Sequence, residues 1–217
     1  SKNDGPWELA DDMRKVNSVL RYSRGDTRNG FSITGMAYAA RWNSTDQIPR
    51  RAVQSGLISR YGNIDATDAG RATRYSVAVD WLRSGADRST RITGYGLRGG
   101  LNLFQNFTYF LADPVNGDQV EQEGRRWVTG GKVTHRRMGN WLGRHIESAV
   151  GVNVRNDAVG TVGLYATRGR QFLDAIRRDT VGQTTLGLFG QSEVEWSSVF
   201  RTTLGLRGDV YRYSVNA

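Results

Sequence analysis

The stretch VGQTTLGLFGQSEVEWSSVFRTTLGLRGDVYRYSV, residues 181–215, contains two long runs in which apolar and polar positions alternate. In the first run Leu186 and Leu188 share one parity, whereas Glu195 has the other. Alternation with a period of two is typical of a β-strand, because successive side chains point to opposite faces. Only residues 197–199 separate the two runs. The stretch therefore predicts a β-hairpin with unusually long arms.

The length of these arms and the aromatic residues beside the turn favour a membrane-spanning hairpin. Strands of globular proteins usually have about five or six residues, whereas a strand that crosses a bilayer at a tilt needs about 9 to 11. Trp196 and Phe200 flank this turn, as Tyr22 and Phe31 flank the earlier turn at 24–30. We predict that these four side chains lie in an aromatic belt at the membrane interface. A hairpin of a large soluble β-sandwich is the alternative interpretation.

The composition is compatible with a membrane barrel and disfavours a helical membrane protein. The chain has 217 residues, a net charge of +9, 27 glycines and no cysteine. No run approaches the roughly 18 to 20 apolar residues of a transmembrane helix, and residues 1–9 lack the plan of a signal peptide. The mean hydropathy of -0.54 is that of a soluble protein. However, a barrel exposes only alternate residues of each strand to lipid, so this value does not separate the two classes.

Further alternating runs precede the late hairpin, and together they give eight predicted strands in four hairpins. Short polar turns follow strands one, three, five and seven, while long loops follow strands two, four and six. We predict strands at 14–23, 31–37, 73–83, 91–111, 127–135, 146–155, 184–196 and 200–210, and long loops at 43–72, 112–125 and 156–180.

This order of turns and loops predicts the fold class. In a barrel, every short turn would lie on one side of the membrane and every long loop on the other. A soluble sandwich has no reason to keep that order. The sequence therefore predicts an all-β fold, an antiparallel up-and-down transmembrane β-barrel segment of about eight long strands. The three long loops are expected to lie on the cell exterior.

Two segments of the chain resemble the barrel of TonB-dependent outer-membrane receptors. They are FSITGMAYAARWNSTDQIP at 31–49 and TTLGLFGQSEVEWSSVFRTTLGLRGDVY at 184–211, of which the second is the more specific. The resemblance covers essentially the whole chain as barrel. It implies location in the outer membrane of a Gram-negative bacterium, contact with outer-membrane lipid and lipopolysaccharide, and uptake of a small nutrient such as an iron–siderophore complex or cobalamin. No bound cofactor is expected.

The chain departs from this family in ways that limit the expectation. Such transporters have 22 strands and a plugged lumen, whereas eight strands are predicted here. A plug domain, a TonB box and a closing strand with a terminal aromatic are not found, so residues 1–217 are expected to be an internal part of the barrel. Contact with TonB would then use the missing N-terminal region, and the chain alone would not transport. A small eight-stranded structural or adhesive barrel and a soluble carbohydrate-binding β-sandwich are the alternatives.

The alternation also assigns faces to individual residues. Arginines inside strands, such as Arg74 and Arg207, would point into an aqueous lumen. Loop arginines can bind anionic ligands or lipopolysaccharide phosphates in a bidentate manner. The lipid-facing residues are predicted to be Tyr75, Val77, Val79, Trp81, Leu186, Leu188, Leu204 and Leu206, and the candidate ligand-facing loop residues are Arg50, Arg51, Arg168 and Arg170.

Other motifs do not support an enzyme or a nucleic-acid-binding protein. The stretch 94–99 matches the dinucleotide pattern GxGxxG, but an alternating strand follows it rather than a helix. His135, His145 and Glu147 have no common metal-ligand spacing, so no metal site is predicted. No Ser, His and acid combination is identifiable. The basic residues are not gathered on one helix or motif, as those of a nucleic-acid-binding protein would be.

Overall fold

The computed structural model describes residues 2–44 and 47–216, which form one antiparallel sheet in which every strand pairs with its neighbours in chain order. This sequential order confirms the predicted up-and-down topology. The strands of the described residues are β1 (Lys2–Asn3), β2 (Met13–Gly25), β3 (Asn29–Asn43), β4 (Ala69–Ser84), β5 (Arg88–Gln105), β6 (Val120–Trp141), β7 (Arg144–Arg168), β8 (Gln171–Ser197) and β9 (Phe200–Asn216).

The eight long strands β2 to β9 correspond to the eight that the alternation predicts. β1 is an additional two-residue strand that pairs with the start of β2. One short helix, α1 (Arg50–Gln54), lies in the connection between β3 and β4, where only a loop is predicted. No helix in the described parts of the chain is long and apolar enough to cross a membrane.

The sheet has two long edges within the described residues. β9 pairs only with β8, and no ladder joins it to β2. All the side chains of β9 are exposed. Unpaired N–H and C=O groups along an edge cannot be satisfied in hydrocarbon, so a membrane-embedded form needs partners for both edges.

The register places the eight predicted lipid-facing residues on one face of the sheet. Val79 pairs with Ile33, and Leu186 pairs with both Val154 and Val210. Residues that pair directly point to the same face, and so do residues two apart along one strand. Large apolar side chains on this face are exposed, Leu206 to 83%. We call it the apolar face.

The opposite face carries charged residues that pair with one another. We call it the polar face, and Arg74, Arg201 and Arg207 lie on it as predicted. Several of its arginines form ion pairs with carboxylates. The pairs are Arg91–Asp80 at 2.9 Å, Arg136–Glu147 at 3.2 Å, Arg155–Asp157 at 2.6 Å, Arg201–Glu193 at 3.1 Å and Arg207–Asp209 at 2.6 Å.

The predicted loop at 156–180 is wrong, because these residues form the tall ends of β7 and β8. A two-residue turn at Gly169 and Arg170 joins the strands, with φ of 56° and 67°, as a type I′ hairpin turn requires. Residues 171–178 are exposed, so no buried face imposes alternation on them. Bulges near Val159 and Leu164 disturb the parity further. Backbone hydrogen bonds to β7 hold this part of β8, because its own side chains are not buried.

The ends of three other predicted segments are corrected as well. β5 ends at Gln105 rather than at 111, and β6 begins at Val120, which shortens the predicted loop 112–125 from its C-terminal side. The aromatic residues near 107–110 are therefore loop residues. β6 also continues to Trp141 instead of ending at 135.

The strand register decides how two sequence motifs are interpreted, the GxGxxG stretch and the pair of histidines. The GxGxxG stretch lies in the middle of β5, and β6 is the next element, so no strand-to-helix turn exists there to bind a dinucleotide. His135 lies on the apolar face beside Thr90 and Val150, whereas His145 and Glu147 lie on the polar face. The two histidines cannot share a metal ion, and no metal-binding cluster is found among the described residues.

Candidate functional site

The connections between strands differ at the two ends of the sheet, as the sequence predicts. Short turns join the strands at one end, which we call the turn end. The long connections between β3 and β4 and between β5 and β6 lie at the other, the loop end, together with the tip of the β7–β8 hairpin. At the turn end the connections are 26–28, 85–87, 142–143 and 198–199, and at the loop end they are 44–68, 106–119 and 169–170.

A buried glutamine joins the two long loops. Gln119 is 2% exposed, and its side-chain amide nitrogen lies within hydrogen-bond distance of three acceptors of the first loop. These are Asp65 Oδ2 at 3.2 Å, Thr67 Oγ1 at 2.7 Å and Asp68 Oδ1 at 3.2 Å. Asp68 is itself buried and accepts a hydrogen bond from the Asn106 backbone amide at 3.2 Å. Two carboxylates of one loop are thereby satisfied by donors of the next.

The carbonyl oxygen of the same side chain connects the β7–β8 hairpin to this network. Gln119 Oε1 accepts hydrogen bonds from the Thr167 hydroxyl at 3.1 Å and from the Arg170 backbone amide at 2.8 Å. The guanidinium of Arg170 also donates to the Thr67 carbonyl. One side chain therefore fixes three connections that are distant in sequence. The loop end is a joined rim rather than three independent loops.

Another carboxylate, that of Asp118, organises the loop between β5 and β6. Asp118 accepts hydrogen bonds from the Thr108 hydroxyl at 2.7 Å and from the backbone amides of Leu111 at 2.8 Å, Ala112 at 3.0 Å and Asp113 at 2.7 Å. Desolvation acts to raise the pKa of Asp118, but these donors outweigh it and lower the pKa to about 2. The loop is therefore closed around an ionised aspartate.

Substituting Asn for Asp118 is expected to open this loop at neutral pH, because the amide removes the charge that its donors stabilise. Hydrogen exchange at Leu111, Ala112 and Asp113 should accelerate in the variant. The folded pKa lies below the unfolded value, so the contribution is present above about pH 4 and is lost as the pH falls towards 2. The wild-type amides should lose protection in that interval. Asp87→Asn, at the turn end, is the control, and equal exchange in both variants would contradict this assignment.

The four predicted ligand-facing arginines lie at the loop end but are not gathered at one point. Arg50 and Arg51 are exposed on α1, and Arg168 is exposed at the end of β7. Within residues 2–44 and 47–216 no hydrogen bond or ion pair holds these three guanidiniums. Arg170 differs from them, because its guanidinium donates a hydrogen bond to the Thr67 carbonyl of another loop.

Arg170 also lines a cleft of about 320 Å³ that the sequence did not reveal. Arg41 and Arg71 line the cleft as well, together with Asp12 and Asn102. Three guanidiniums against one carboxylate give this cleft an excess of two positive charges. Arg41 and Arg71 are thirty residues apart in sequence, and only the strand register shows that they are direct neighbours.

The aromatic residues predicted for the membrane interface lie near the turn end on the apolar face. The rings of Tyr22 and Phe31 are in contact, with centroids 6.0 Å apart. Trp196 contacts Trp141 at 6.2 Å and donates its indole N–H to the Thr202 hydroxyl at 2.8 Å. Phe200 is exposed. These positions are compatible with an interfacial belt, which stays a prediction.

The described strands have the features of a β-barrel wall. They are long, antiparallel and paired in chain order, one face of the sheet is apolar and the other is ion-paired, and the long connections lie at one end. No protein-family model matches the chain, and no curated protein matches it. Among solved structures, the ferric citrate transporter FecA in its unliganded form is similar, with a TM-score of 0.77 over 95% of this chain at 13% sequence identity. This chain spans only 30% of that transporter. The similarity shows a common fold.

Proposed function

We propose that this chain is part of the barrel wall of an outer-membrane TonB-dependent receptor that takes up a scarce nutrient such as an iron–siderophore complex or cobalamin. The observation that carries the proposal is the height of the apolar band on the apolar face. On β4 this band runs between Arg71 and Arg83, which are twelve residues apart and enclose Tyr75, Val77 and Val79. Arginine is costly inside a bilayer, so Arg71 and Arg83 mark the boundaries of the apolar band on β4.

The spacing of these arginines fits a membrane. Twelve residues of strand span about 40 Å at roughly 3.3 Å per residue, and a strand tilted by about 40° spans about 30 Å along the membrane normal. The hydrocarbon core of a bilayer is about 30 Å thick. The band on β3, between Asn29 and Arg41, has the same length, and the two bands are in register. β3 and β4 thus have bands of membrane height, whereas the same face of β5 carries Arg98 opposite Tyr75, with its guanidinium over the ring of Trp127.

The class of ligand follows from the charge of the loop end and from the sequence resemblance. Arg50, Arg51, Arg168 and Arg170 are exposed there and would attract an anionic complex. The structurally similar protein is a ferric citrate transporter, and uptake of iron complexes is the activity that the resemblance implies. In the whole receptor, TonB would act through a region outside this chain.

Uptake is the measurement that tests this function. The whole protein, expressed in cells without their own receptors, should give saturable, TonB-dependent uptake from a panel of iron complexes and cobalamin. The purified chain alone, reconstituted in vesicles, should give none above protein-free controls, because eight strands closed on themselves leave room only for side chains. Saturable uptake by the chain alone, or none of the panel taken up by the whole protein, would overturn the proposal.

A further inference from the structure

A cleft of about 620 Å³ on the polar face, towards the turn end, is lined by three cations. Arg91 of β5 pairs directly with Thr134 of β6, and Lys132 and Arg136 lie two residues to either side of Thr134 on the same face. Diagonal neighbours of this kind are about 7 to 8 Å apart, a distance that long side chains bridge. No carboxylate of the described residues lines the cleft, whereas hydroxyl groups do, those of Ser84, Ser89, Thr93 and Thr134.

The three cations differ in how far their charges are already compensated. Arg91 and Arg136 each form one ion pair at the edge of the cleft, through Nε to Asp80 and through Nη1 to Glu147. A guanidinium has five N–H groups, so both arginines keep donors for a ligand. Lys132 is exposed, and in the parts of the chain that the structure describes its ammonium has no carboxylate within ion-pair distance. The ammonium lies over the ring of Phe189 instead, 5.0 Å from its centroid, a contact that positions the charge without neutralising it.

A glycine of β7 makes this position of the aromatic ring possible. Phe189 of β8 pairs directly with Gly151, and a Cβ atom at Gly151 would lie only 2.4 Å from the ring. The ring therefore crosses β7 and reaches Lys132 of β6, the strand on the other side. Ala149, which is 3% exposed, lines the cleft beside the glycine and leaves its floor low. Four adjacent strands thus hold the ammonium at a fixed place in the cleft.

The place of the cleft in the barrel indicates when a solute would meet it. Leu82, which also lines the cleft, is adjacent to Arg83, the turn-end boundary of the apolar band on β4. The polar face would line the lumen, so a solute that enters at the loop end would reach the cleft last. Guanidinium and ammonium groups bind carboxylates through charge-assisted hydrogen bonds. We propose that Arg91, Lys132 and Arg136 form an exit-side site that binds the carboxylates of an anionic solute, a role that rests on the proposed function.

Binding is measured on the whole protein in detergent, with a reporter in the cleft. Gln191, which lines the cleft, is replaced with cysteine and labelled with an environment-sensitive fluorophore, after any cysteine outside this chain has been replaced with serine. The protein is titrated at low salt with propane-1,2,3-tricarboxylate and with the corresponding uncharged triamide. Lys132→Ala should weaken tricarboxylate binding by about tenfold or more, since one charge-assisted contact is lost. The matched control is Lys15→Ala, which removes a lysine from the loop end of the same face.

The labelled wild type and the Lys15 control should bind the tricarboxylate equally, and neither should respond to the triamide. Lys132→Arg, which keeps the charge, should lose less affinity than Lys132→Ala, and Lys132→Gln replaces the alanine variant if that protein does not fold. Equal affinity in the Lys132 and Lys15 variants overturns the site, as does a wild type that responds to the triamide as strongly or to neither compound. Uptake plays no part in this measurement. A receptor that takes up no nutrient would therefore contradict the proposed function, whereas a receptor that takes up nutrient without tricarboxylate binding here would contradict only this site.

Discussion

Replacing Val77 with arginine is expected to lower the free energy of unfolding from a membrane by about 2 to 4 kcal/mol. Val77 lies midway between Arg71 and Arg83 on the apolar face and is 52% exposed. The new guanidinium would enter hydrocarbon near the bilayer centre, where no acceptor is available. Leu206, which occupies the middle of the band on β9, should give a penalty of similar size.

The adjacent residue supplies a matched control. Ser76 lies at almost the same depth as Val77 on the polar face, where arginines already pair with carboxylates. Ser76→Arg, and likewise Thr203→Arg on β9, should cost much less. The comparison is made by urea unfolding of each protein refolded into lipid vesicles. Penalties of equal size on both faces would show that the two faces are wrongly assigned.

Replacing Gln119 with glutamate should have the largest effect at the loop end. The change keeps the shape of the side chain but can place a third carboxylate against the half-buried Asp65 and the buried Asp68, and it removes the donor that serves both. An uncompensated buried charge costs about 3 kcal/mol or more. Local opening of the two long loops and of the β7–β8 tip should therefore become easier by about that amount.

A second glutamine, in β6, supplies the control for this change. Gln122 lies in β6, three residues after Gln119; it is exposed and donates to Gln105 at 3.0 Å. Gln122→Glu should alter the opening free energy by well under 1 kcal/mol, because water can replace the lost partner. Hydrogen exchange at Thr167 and Arg170, whose amides bond Gln119, reports the opening. If both variants left this exchange unchanged, the glutamine would not hold the rim together.

The faces of the sheet could be predicted because each strand has one apolar and one polar side over most of its length. Val77 and Ser76, or Leu204 and Thr203, are distinguished by parity alone. The predicted hairpin around 197–199 is confirmed, and β8 and β9 pair from Glu195 and Arg201 onwards. Local alternation carries this information, since a strand repeats every two residues whatever its partners.

The rest of the site could not be predicted, because it depends on contacts between distant residues or on strands without a buried face. The alternation fades beyond Asn156, because residues 171–178 of β8 are exposed on both faces and bulges disturb the parity of β7. Gln119 is an ordinary polar loop residue in sequence, and its five partners become visible only when the loops are placed together. The neighbouring guanidiniums of Arg41 and Arg71 likewise depend on the register of β3 and β4.

The most direct test of membrane topology is labelling of single cysteines on intact cells with an impermeant thiol reagent. The chain has no cysteine of its own, so each introduced thiol is the only one that it contributes. Cysteines at Ser55 and Gln171, both exposed at the loop end, are expected to react, whereas a cysteine at Thr27, in a turn at the other end, should react only after the cells are broken. Labelling at Thr27 but not at Ser55 or Gln171 on intact cells would contradict the proposed orientation.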